Sequence, residues 1–217
     1  IEAAPNDVNA GKNLIKDYLK TYKKDEQALT ALGNVYLAQR NFTEAMKIAN
    51  SIVSNKKMNG TLGYLLLGDI VALQDSVGNA GAAAQNYATA ISLDPHNVAA
   101  YERYAKVYRH VNPQVSIQKL EELRQVEPNY PVEATAAEIM LSDGKYAEAL
   151  SWFDKANHSN LTEDNFYKYG YTAFILRKYD KVLEVVEDGL KRFPNSEYIA
   201  RVGMMSATEK GDYPKAL

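Results

Sequence analysis

The segment LGNVYLAQRNFTEA, residues 32 to 45, decides how the rest of the chain is read. Gly33 is followed three positions later by Tyr36, then by the break Arg40-Asn41, then by Phe42 and Ala45 at helical spacing. Apolar and small residues recurring every three or four positions mark one face of an amphipathic helix, and a polar break between two such runs separates two helices. The same order of events returns in GKYAEALSWFDKA, residues 144 to 156, through Tyr146, Ala149, Phe153 and Ala156. Small residues such as Ala45, Ala90, Ala149 and Ala156 let two helices approach closely, and Tyr36, Tyr87 and Phe153 are expected to fill the gaps between them.

Working outward from this segment, equivalent points fall at Leu32-Gly33, Leu67-Gly68, Tyr104-Ala105, Ala136-Ala137, Tyr169-Gly170 and Gly203-Met204. The second residues of these pairs are spaced by 35, 37, 32, 33 and 34 positions, a mean of 34.2. Breaks at Asp94-Pro95, Glu127-Pro128 and Phe193-Pro194 close units, because proline cannot donate to the preceding helical turn. Each unit is thus two short helices, and a fixed period of this length marks a stacked array.

The 34-residue helix-turn-helix unit resembles the tetratricopeptide repeat. Leu32, Gly33, Tyr36, Phe42 and Ala45 match the family pattern in the first full unit, and Tyr169, Gly170, Tyr179 and Pro194 match it in the fifth. The resemblance implies an all-α, right-handed superhelical solenoid of antiparallel helix pairs. Residues 1–24 are expected to be a partial repeat or capping helix, and 25–217 one continuous array with units at about 26–59, 61–96, 98–129, 130–162, 163–196 and a truncated 197–217. The second unit carries extra residues between Gln74 and Asn79, so its turn should protrude. The chain opens at Ile1 without an initiator Met and stops inside its sixth unit, so a longer protein is expected around it, and uncapped ends would favour self-association.

Composition sets the outer limits. Of 217 residues, 46% are hydrophobic and 24% charged, with 12 Gly and 7 Pro, the balance of a globular chain. The longest apolar stretch, near Tyr64 to Leu73, is interrupted by Gly68 and Asp69, which argues against insertion into a membrane. A net charge of −2 gives no overall field for nucleic acid, so electrostatic recognition has to be local. With no Cys, thiol catalysis, disulfides and thiolate metal sites are excluded, and a compartment outside the cytoplasm is slightly favoured.

No catalytic pattern emerges. The three histidines, His96, His110 and His158, stand in turns or at helix ends, outside any HExxH arrangement. There is no G-x-S-x-G elbow, and Gly78-Asn79-Ala80-Gly81 lacks the G-K-[ST] of a phosphate loop. The acids Glu121, Glu122, Glu184, Glu187 and Asp188 read as solvated helix faces. The chain is expected not to be an enzyme and to carry neither metal nor cofactor.

In the family, the first helix of each pair lines the inner face of the array. That register turns Asn34, Asp69, Arg103, Lys106, Arg109, Tyr167 and Tyr171 inward, and these form the candidate peptide-binding groove. Arg103, Lys106, Arg109 and His110 make a basic ridge, while Tyr167, Tyr171 and Phe174 make an aromatic stripe at i, i+4 and i+7. A solvated face and ordinary core packing are the plain alternatives. The partner expected is a protein or peptide with acidic and apolar groups. The carboxylate clamp of chaperone-binding members is not reproduced: Asn34 and Arg103 match it, but Thr30, Leu66 and Ala99 occupy its other positions. The resulting expectation is a protein-interaction scaffold. The alternatives are a rigid spacer or docking arm of a larger assembly, such as one of the cell envelope, or a substrate-selecting part of a larger protein.

Overall fold

The computed structural model describes residues 8–74 and 78–211, and among them there are twelve α-helices and no strand. The expected protrusion of the second turn and the truncated end of the sixth unit fall partly on residues 75–77 and 212–217, outside the described residues. The chain divides at Pro128/Asn129 into two compact units.

Unit 1 contains α1 (Val8–Thr21), α2 (Glu26–Ala38), α3 (Phe42–Val53), α4 (Thr61–Gln74), α5 (Ala80–Leu93), α6 (Val98–Tyr108) and α7 (Pro113–Val126). Each helix from α1 onward packs on the next, and α2 also packs on α4. Starts are chemically marked. The side chains of Asp25, Asn41, Asn97 and Asn112 accept from backbone N–H groups of the first turns of α2, α3, α6 and α7. Each satisfies a donor that the helix itself leaves unpaired. One core joins Leu37, Ala45, Ala49, Leu66 and Ile70, and a second joins Leu65, Ala83, Tyr87, Ala90 and Ala100. Ala45, Ala49, Ala83 and Ala90 are all 0% exposed, which is the close helix approach that their size permits.

Gly68 is one of the points of closest approach. A Cβ there would lie 2.3 Å from Cε1 of Tyr87, so the absence of a side chain on α4 is what seats the tyrosine of α5.

Unit 2 contains α8 (Val132–Ser142), α9 (Tyr146–Phe153), a 3-10 turn at His158–Asn160, α10 (Glu163–Ile175), α11 (Tyr179–Arg192) and α12 (Glu197–Lys210). Thr162 and Asn165 form a reciprocal capping box at the start of α10. Phe153 stacks on Tyr169 at 5.1 Å within a core that includes Phe166, Val182, Val185 and Val202. Tyr169 donates a hydrogen bond of 2.6 Å to Asp154, so its ring is buried while its hydroxyl is satisfied. Trp152 packs half-buried against this core, with Lys155 Nζ 4.6 Å from its ring.

The turn between paired helices recurs in one geometry. Arg40, Gly144 and Arg177 have φ of 54, 71 and 56°, in the left-handed region. The next residue in each case donates back across the helix end, Asn41 to Tyr36, Lys145 to Met140 and Lys178 to Ala173, at 2.8, 2.9 and 2.9 Å. This satisfies carbonyls that the helix end would otherwise leave open, and only at Gly144 is the backbone free of steric penalty.

Two of the turn histidines pair with acids while remaining partly or largely open to solvent. His158 Nδ1 lies 2.6 Å from Asp188 of α11, and Arg192 donates to the backbone carbonyl of His158 at 3.1 Å. His96 lies 3.0 Å from Glu127. Both histidines tie a turn to a helix 30 or more residues away, a pairing that no local pattern encodes.

Candidate functional site

Unit 1 encloses a cleft of about 660 Å³ between α2, α4, α5, α6 and the turn after α6. Its walls are apolar: Leu37, Ala72, Leu73, Ala80, Val107 and Val111. Leu73 and Val111 are 55% and 54% exposed, so the walls present apolar surface to solvent.

The floor is polar and already organised. Arg103 on α6 donates to Asp69 on α4 at 2.6 Å, and the Tyr87 hydroxyl on α5 donates to the other carboxylate oxygen at 2.9 Å. Burial pushes the Asp69 carboxyl above the usual aspartate range, outweighing the opposing pull of Arg103, the Tyr87 hydroxyl and Lys106. Burial and the neighbouring carboxylate likewise hold the Tyr87 phenol protonated far above its ordinary value.

The rim is cationic. Lys106 and His110 are exposed, and among the described residues neither has an ion-pair partner. Arg109 is the C-cap of α6; its guanidinium donates to the Lys106 carbonyl, while its Nε is buried without any hydrogen-bond partner. Such a group is uncommon, because a buried donor left unpaired forfeits its hydration.

The candidate residues therefore separate. Asp69, Arg103, Lys106 and Arg109 line one cleft. Asn34 is exposed on α2 and does not line it. Tyr167 and Tyr171 belong to unit 2, where they stack on each other at 5.9 Å, and Tyr198 of α12 meets Tyr167 edge to face at 5.9 Å. Phe174 turns instead to Tyr179, with ring centroids 5.9 Å apart. A cleft of about 230 Å³ lies among Glu163, Asp164, Tyr167 and Tyr198.

Two contributions were not read from the pattern. Tyr87 is a packing residue by spacing, yet its hydroxyl helps to fix Asp69. Leu73 falls four residues after Asp69, on the same helical face, and that spacing was the available signal for an apolar wall.

A third depression, about 480 Å³, gathers Asp25, Glu26, Asn59, Asp94 and Asn97. Asp25 and Asn97 are engaged in capping α2 and α6, which accounts for polar side chains there. Among the described residues no group of three or more His, Asp or Glu is placed to hold a metal ion, and no helix is long and apolar enough to cross a membrane.

No family model matches the sequence, and no curated protein matches it significantly. Solved structures do match. A thermophilic TPR protein of Thermus thermophilus is 19% identical over 77% of this chain and 91% of its own, with a TM-score of 0.60. The type IV pilus biogenesis factor PilW is 18% identical over 91% of both chains, with a TM-score of 0.65. The chain has the tetratricopeptide-repeat fold. YrrB, a TPR protein with an unusual peptide-binding site, shares it at 15% identity over 86% of this chain and 96% of its own, with a TM-score of 0.53. Within this fold, α4 and α6 supply Asp69, Arg103 and Lys106 to the cleft.

Proposed function

We propose that this chain is a protein-interaction scaffold whose unit 1 cleft receives a partner peptide carrying an acidic group and apolar side chains. The observation that carries this reading is the combination of exposed apolar walls, Leu73 and Val111, with two cationic side chains at the rim, Lys106 and Arg109, that form no ion pair among the described residues. Because Asn34 lies off the cleft and Tyr167 and Tyr171 belong to unit 2, the reading rests on Asp69, Arg103, Lys106 and Arg109.

Roles divide within that set. Arg103 is committed to Asp69, so it and Tyr87 build the floor, while Lys106 and Arg109 are the groups left to meet an incoming carboxylate. The occurrence of a peptide-binding site in a protein of the same fold supports the class of ligand.

The test is selection of a random displayed peptide library on the full chain and on a Lys106→Glu variant. Asp or Glu next to Leu, Ile or Phe should be enriched on the wild type, and selected peptides should bind the variant about tenfold or more weakly. Lys106 is exposed, so circular dichroism of the two proteins should coincide. Absent enrichment, or equal binding by both, overturns the reading.

A docking arm in a larger assembly is the second reading. It is supported by α1 and the residue that follows it, which expose Leu14, Tyr18 and Tyr22 at 71%, 44% and 56%, with the two tyrosines stacked at 4.6 Å. Such a patch is suited to protein contact. Assembly through α1 would survive Lys106→Glu and fail in a Leu14→Ser, Tyr22→Ser double variant.

A further inference from the structure

The small cleft of unit 2 has walls of a different chemistry. Glu163 and Asp164 open α10, and Tyr167 follows one turn later on the same face. Tyr198, the second residue of α12, closes the cleft from the other side with its ring 63% exposed. Behind Tyr167 stands Tyr171, stacked at 5.9 Å with an interplanar angle of 21°, which fixes the orientation of the first ring. Tyr198 meets Tyr167 edge to face at 63°, and both tyrosines line one space of about 230 Å³.

The charge balance around that space is negative. Asp164 pairs with Lys168 at 2.5 Å, but Lys168 is shared with Glu138 at 2.7 Å, so one cation serves two carboxylates. Glu163 has no ion-pair partner among the described residues, and Glu197 adds an exposed acid beside Tyr198. Arg201, one turn further along α12, does not line the cleft.

We propose that this cleft is a binding site for the cationic head of a basic side chain, arginine or lysine, presented by a partner peptide. Aromatic faces carry negative electrostatic potential and attract a cation placed over them, and Arg additionally stacks its planar guanidinium on such a face. The carboxylate of Glu163 supplies the counter-charge at the mouth, and the volume admits one side-chain head rather than a folded element. The site goes beyond the acidic-peptide reading of unit 1: it lies in the other unit, has the opposite polarity, and stands or falls without it.

The experiment titrates the full chain, with its tyrosine rings isotope-labelled, with N-acetyl-arginine amide, N-acetyl-lysine amide, N-acetyl-glutamate amide and tetramethylammonium, read by NMR. Saturable shifts of Tyr167 and Tyr198 are expected with arginine and lysine, arginine being the tighter, and none with the glutamate compound. Tyr198→Ala should weaken arginine binding at least fivefold, Tyr198→Phe should retain most of it, and Glu163→Gln should weaken it about threefold. Tyr198 and Glu163 are surface residues, so retained helicity provides a check that folding is unaffected. Shifts that are absent, spread over all tyrosines or insensitive to Tyr198→Ala would overturn the site. Tetramethylammonium binding tighter than arginine would overturn its assignment to a basic side chain.

Discussion

Asp69 and Asp154 make the same bond in the two units and end in different roles. Each accepts from the hydroxyl of a buried tyrosine, Tyr87 at 2.9 Å and Tyr169 at 2.6 Å. The Asp69 side chain is 22% exposed and paired at 2.6 Å with Arg103; that of Asp154 is 41% exposed, with Lys181 at 3.5 Å. Where neighbouring helices withhold water, the bond becomes the rigid floor of a cleft. Where they do not, it satisfies a core tyrosine at the surface, and water shares the carboxylate. Interior polar bonds strengthen as the surrounding dielectric falls, so one local motif can carry different weight in two places.

The comparison can be broken most severely at Gly68. Gly68→Ala puts a Cβ 2.3 Å from the Tyr87 ring and should cost about 3 kcal/mol in urea unfolding, while displacing Tyr87 from Asp69. Arg103→Met is expected next, at about 2 kcal/mol near pH 7, because it leaves a half-buried carboxylate without its counter-charge.

That loss should shrink toward pH 4. Burial raises the Asp69 carboxyl, so its contribution is fully present below the unfolded value of about 3.9 and is lost as pH rises through the folded one. Removing Arg103 raises the folded value further, which deepens the loss between pH 4 and 7. A pH-independent difference would show that the ion pair is not what Arg103 supplies.

Tyr87→Phe against Tyr169→Phe sharpens the contrast directly. The first should cost about 1.5 kcal/mol and the second about 0.5 kcal/mol, since water can replace the hydroxyl at the more exposed Asp154. Equal losses would remove the distinction. The smallest effect serves as an internal standard. Arg40→Gly and Arg177→Gly relieve the same left-handed strain in units 1 and 2 and should each raise stability by about 0.5 kcal/mol, the strain relieved less the added chain entropy. A thermal melt of each variant checks this.

Much of the fold was legible because packing in this architecture repeats locally. Ala45, Ala90 and Ala149 read as points of close approach from spacing alone, and all are 0% exposed. Tyr36 is only half-buried, with Lys12 and Lys16 of α1 over its ring, and Ala156 likewise, because it lies beyond the end of α9 rather than in a helix. The site was legible in part. Helical register brought Asp69, Arg103, Lys106 and Arg109 to one face, but not the ion pair that commits Arg103 to a carboxylate 34 residues away. A charge on a helix face looks the same in sequence whether it is free or paired, since the partner lies in the neighbouring repeat. Asn34 sits in equivalent register and remains outside the cleft, because the lining depends on which side chains converge rather than on position alone.

Trp152 is the single tryptophan of the chain, and it packs against the core of unit 2 beneath Lys155. Its emission is therefore an optical reporter that belongs to one half of the molecule. Far-ultraviolet dichroism, by contrast, sums helices from both halves. Recorded along one denaturant series, the two signals resolve the melting of residues 129 onward from that of the whole chain without any added label, and their coincidence or separation measures how strongly the two halves unfold as one.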